Sequence, residues 1–105
     1  MIIVIAPRDG GEPGIGLDDA DNCNAFHLEA RGVDAAGVAA TLAAAGAGRV
    51  AGDDAFVERA AIERMAADAG VAEDWNERYQ GMLAYAGKKG WLDADGLVQA
   101  HIEWR

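Results

Sequence analysis

Serine is absent from this 105-residue chain, and Thr41 is its only threonine. Hydrolysis by a serine nucleophile is thereby excluded, and so is the phosphate loop that needs Gly-Lys-Ser/Thr. Thr41 lies in an alanine-rich stretch with no basic neighbour, which gives it no catalytic context. Cys23 is the only cysteine, so no internal disulfide forms and a reducing compartment is expected. Basic residues are scarce, nine against eighteen acidic ones, for a net charge of −9. A field of that sign repels phosphate backbones and anionic lipid, so neither nucleic acid nor a membrane is an expected partner. No apolar run is long enough to cross a bilayer. The opening residues 1–7 are apolar but short, lack a basic flank and meet Pro7 and Arg8 at once, so a cytoplasmic location is expected.

What is present is mostly alanine. Of 54 apolar residues 24 are Ala and one is Cys, leaving 29 larger side chains for a core. Alanine-rich helices pack closely but bury little area each, so a thin two-layer body in one domain, residues 1–105, is expected.

Residues 2–6 read as a strand apolar on both faces, and residues 8–24 as a long polar loop. That loop holds four glycines, Pro13 and the acids Asp9, Glu12, Asp18, Asp19 and Asp21. A strand over 25–30 follows, with Phe26, Leu28 and Ala30 inward. Asp34 suits the N-cap of a helix over 35–45 closed by Gly46. Residues 49–58 suit either a tight hairpin or an early helix start, with a short strand at 55–58 preferred. The helix over 59–69 has Ile62, Met65, Ala66 and Ala69 as its inner stripe. The next helix opens on Asp74 and Glu77, at capping-box spacing, and buries Trp75, Tyr79, Met82 and Ala86. Lys88, Lys89 and Gly90 suit its carboxyl end, Asp93–Gly96 a turn, and 97–104 a closing strand.

From residue 25 the order is strand, helix, strand, strand, helix pair, strand. It matches a split βαβ (ferredoxin-like) arrangement: an α+β fold, antiparallel sheet, helices on one face, plus an added N-terminal strand. The first and last strands of that unit are antiparallel neighbours.

The two histidines share a context, Phe26-His27-Leu28-Glu29 and Ala100-His101-Ile102-Glu103. Period-2 alternation puts His27, Glu29, His101 and Glu103 on the uncovered face, with His facing Glu across the pair. Imidazole with carboxylate suits a divalent transition metal or acid/base work. The plainer reading is a solvated polar face. A third is a dimer seam, its cavity rimmed by Trp91 or Trp104 and open to a small molecule.

Other motifs carry less. Gly11-x-x-Gly14-x-Gly16 has the wrong spacing for a dinucleotide loop, and acids flank it. Residues 18–24 fail the calcium-loop template at its fifth, sixth and twelfth positions. Cys23 stands four residues before His27 with nothing local to activate the thiol. The expectation is a small acidic binding or accessory module that associates with itself or a protein partner. The alternative is a metal-binding or cofactor-free small enzyme using His27, Glu29, His101 and Glu103.

Overall fold

The apolar opening run becomes β1 (Ile2–Pro7), an interior strand with neighbours on both edges in the computed structural model. Residues 1–8 and 10–105 are described; Asp9, one of the acids of the expected loop, lies outside them. The loop expected over 8–24 instead contains a second strand, β2 (Pro13–Asp18), antiparallel to β1 with Ile5 opposite Ile15 and Ile3 opposite Leu17. Gly10 and Gly11, at φ +94° and +88°, make the reversal between them. Among the described residues the remaining elements are β3 (His27–Ala30), α1 (Ala35–Ala44), β4 (Gly48–Ala51), β5 (Asp54–Val57), α2 (Arg59–Ala69), α3 (Trp75–Lys89) and β6 (Val98–Trp104).

Strand order is β2-β1-β3-β6-β5-β4. The fold is α+β as expected, but the sheet is mixed: β1, β3 and β6 run parallel, whereas β2, β4 and β5 add antiparallel pairs. The ferredoxin-like arrangement is not met. There, one helix joins the third strand to the fourth, and the fourth runs opposite to the first. Here two helices, α2 and α3, make that connection, and the extra reversal brings β6 back parallel to β3. β6 also inserts between β3 and β5 rather than taking an edge.

Ile3, Ile5, Leu28, Ala30, Ala55, Val57, Val98, Ala100 and Ile102 project from one sheet face. They bury against Val38 and Leu42 of α1, Ala61, Ile62 and Ala66 of α2, and Trp75, Tyr79 and Leu83 of α3. Asp34 caps α1, its Oδ1 accepting from the Gly37 N–H at 2.9 Å. Asp74 makes no such cap; Arg78, one turn on, holds its carboxylate at 2.7 Å, so the capping box does not form. Leu83 rather than Met82 is the buried residue of that turn, and Ala61 replaces Ala69 in α2. No helix is long and apolar enough to cross a membrane, among the described residues.

Candidate functional site

Alternation along the strands places His27, Glu29, His101 and Glu103 on the helix-free sheet face. β3 and β6 are parallel neighbours, so Glu29 lies level with Glu103 instead of meeting a histidine. Two carboxylates side by side repel, and arginines resolve the conflict. Glu29 accepts from Arg31 Nη2 and from Arg105 Nε, each at 3.0 Å. Arg105 Nη2 also donates to Glu103 at 2.8 Å. Chiefly the hydrogen bond from Arg31, helped by Arg105, holds the Glu29 carboxyl below the usual carboxylate range.

The histidines separate. His27 Nε2 stands 3.4 Å from Glu103 Oε2. His101 Nδ1 instead lies 3.7 Å from Asp54 Oδ1, its cross-strand partner on β5. The structure therefore joins His27, Glu29 and Glu103 through arginines and turns His101 to a different acid. Among the described residues no group of three or more His, Cys, Asp or Glu side chains is arranged to hold a metal ion. Sequence reasoning stopped two residues early. Both tetrapeptides continue as H-x-E-x-R, and period 2 puts Arg31 and Arg105 on the same face as their glutamates.

A second site lies at the other side of the molecule's chemistry, where α3 meets the start of β3 and β6. Phe26, Met82, Tyr85, Ala86 and Trp91 line a cleft of about 640 Å³, with Cys23, Asn24, Arg78, Gly81, Val98 and Gln99 completing its wall. Tyr85 and Trp91 stand edge to face, ring centroids 5.7 Å apart. Gly81, mid-helix, has no heavy atom within 4 Å of where a Cβ would sit.

The acidic segment before β3 builds this wall. Asp21 Oδ1 accepts from the Ala72 N–H at 3.1 Å and from Arg78 Nη2 at 3.0 Å. The Trp75 indole donates to the Ala20 carbonyl at 2.6 Å and stacks on Tyr79 at 4.6 Å. The run read as a solvated acidic loop is thus fastened to α3, and it sets Cys23 and Asn24 at the cleft. Burial pushes the Cys23 thiol up, with the nearby Arg78 opposing, so it is protonated at neutral pH. Sequence reading missed the cleft because its residues come from four segments; the helix periodicity had assigned Met82 to the core.

Comparison of the chain with protein-family models, curated proteins and solved structures returns no match.

Proposed function

We propose that this protein is a small binding module whose ligand, a small molecule, occupies the cleft between α3 and the ends of β3 and β6. The observation that carries this reading is the cleft itself: largely apolar and aromatic, with a few polar groups, at a volume ordinary for small-molecule sites. Gly81 supports it. A mid-helix glycine costs roughly 0.5–1 kcal/mol relative to alanine, and here no neighbouring atom demands one. Its consequence is an open wall.

Gly81→Leu tests the reading without endangering the fold. The leucine would fill the cleft and improve helix propensity. Stability should rise by about 0.5–1 kcal/mol, while binding of the neutral dye Nile red, followed by its fluorescence, should be lost. Equal dye binding in both proteins would refute the cleft as the site.

Metal or acid/base chemistry at His27, Glu29, His101 and Glu103 is the second reading, favoured by the His27–Glu103 contact. Two guanidiniums on Glu29 weigh against it, since coordination would have to displace both. Metal analysis of native protein and of His27→Ala decides: metal content that falls with the histidine would restore this reading.

The helix-free sheet face fits a second copy of the chain. Arg8, Arg31, Arg49 and Arg105 nearly balance Asp18, Glu29, Asp54, Asp93 and Glu103 there, so nearly all of the −9 lies elsewhere. Two copies meeting through this face would bring little net charge together. The lone thiol of Cys23 fits a cytoplasmic setting.

A further inference from the structure

We infer that the cleft takes an uncharged planar heteroaromatic ring bearing hydrogen-bond donors and acceptors on its edge. The inference rests on the cleft being the binding site and narrows what binds there.

Shape argues for planarity. Tyr85 and Trp91 are two of the three exposed large hydrophobics among the described residues, 53% and 42% exposed, and both belong to this cleft. Phe26 and Met82 supply further aromatic and thioether surface, and Gly81 leaves the helix wall without a protruding side chain. Aromatic rims beside a flat wall favour stacking of a ring over burial of a branched aliphatic group.

Polar groups argue for edge recognition. Asn24 and Gln99 are the uncharged polar lining residues; alternation along β6 sends the Gln99 side chain to the helix-free face with His101, so Asn24 supplies the cleft's carboxamide, with an acceptor oxygen and an N–H₂ donor. The Asn24 backbone N–H is used, by Asn22 Oδ1, while among the described residues its side-chain amide bonds no other protein group. A paired acceptor and donor on a ring edge would satisfy the N–H₂ and the oxygen of that carboxamide.

Charge argues against an anion. Among the described residues Arg78 is the one cation lining the cleft, and Asp74 at 2.7 Å and Asp21 at 3.0 Å already engage it. Two carboxylates against one guanidinium leave that corner negative, within a chain of net charge −9. An organic cation is disfavoured too, because the Lys89 ammonium already lies 5.5 Å from the Tyr85 ring centroid.

Nuclear magnetic resonance titration of the full chain tests this with three probes: adenine, naphthalene and adenosine 5′-monophosphate. Adenine should shift the Trp91 indole and Gly81 amide signals and bind at least about tenfold tighter than naphthalene. The monophosphate should bind more weakly than adenine. Asn24→Leu should cost adenine on the order of tenfold and leave naphthalene unchanged. Naphthalene binding as well as adenine, or tighter binding of the monophosphate, would overturn the ligand class while leaving the cleft reading intact. No shift at Gly81 or Trp91 with any probe would likewise overturn the ligand class, and Nile red binding unaffected by Gly81→Leu would remove the cleft reading itself.

Discussion

Asp21 spends its carboxylate inside the molecule, on the Ala72 N–H and the Arg78 guanidinium, where it fixes the segment that carries Cys23 and Asn24. Asp21→Ala should lower stability by about 1 kcal/mol in urea unfolding, the worth of one or two such hydrogen bonds at a partly exposed site. It should also quicken iodoacetamide alkylation of Cys23; an unchanged rate would mean that Asp21 does not hold the cleft wall. In the native protein the thiol's half-maximal alkylation rate should come above pH 9.0, because burial disfavours the thiolate. Glu29 works in the opposite sense. Its carboxyl is lowered by Arg31 and Arg105, so its pairing supports the fold fully above the ordinary carboxylate range and loses that support as pH falls through the lowered value. Glu29→Gln should therefore be less stable than wild type at pH 7, with the gap closing in acid. A gap that stayed constant from pH 7 to the acid range would contradict the paired carboxylate.

Hairpins at both edges of the sheet depend on local backbone chemistry. Gly48 of β4 sits at φ +146°, and a Cβ there would lie 2.0 Å from the Phe56 carbonyl oxygen. Gly48→Ala should cost roughly 1–3 kcal/mol and loosen the β4–β5 ladder, seen as faster amide exchange at Phe56 and Glu58, whose N–H groups face β4. Unchanged exchange would show that the hairpin tolerates a side chain there. The helices were readable because periodicity, caps and end signals agreed, as at Asp34 and Gly90. β2 was hidden by its composition. Pro13, Gly14 and Gly16 are poor strand formers, yet Ile15 and Leu17 alternate with the glycines at period 2, and pairing with β1 outweighs propensity. The direction of β6 was set by connectivity, since one more helix between β5 and β6 turns an antiparallel neighbour of β3 into a parallel one. That same reversal placed Glu29 beside Glu103 and made Arg31 and Arg105 necessary. Strand alternation put the four H-x-E side chains on one face correctly; what surrounds them depended on strand order, which no local pattern encodes.

At the scale of the whole molecule, charge is the dominant long-range term. Copies carrying −9 repel at low ionic strength, and the helix-free face, with four arginines against five carboxylates, carries little of that charge. Association through this face should strengthen as salt rises from about 0.01 to 0.15 M, because the screening length shrinks from roughly 30 to 8 Å and removes the repulsion between the acidic remainders. A seam held mainly by intermolecular ion pairs would weaken over the same range, so the sign of the salt effect separates the two. Arg105→Glu makes the charge of the face more negative by two and leaves Glu29 and Glu103 adjacent without their shared guanidinium. Sedimentation equilibrium should show the variant's dimer dissociation constant raised at least about tenfold at 0.15 M salt, with its circular dichroism unchanged. A wild-type chain that stays monomeric at millimolar concentration throughout the salt series would end the case for a second copy on this face, while leaving ligand binding in the cleft on the opposite side of the sheet untouched.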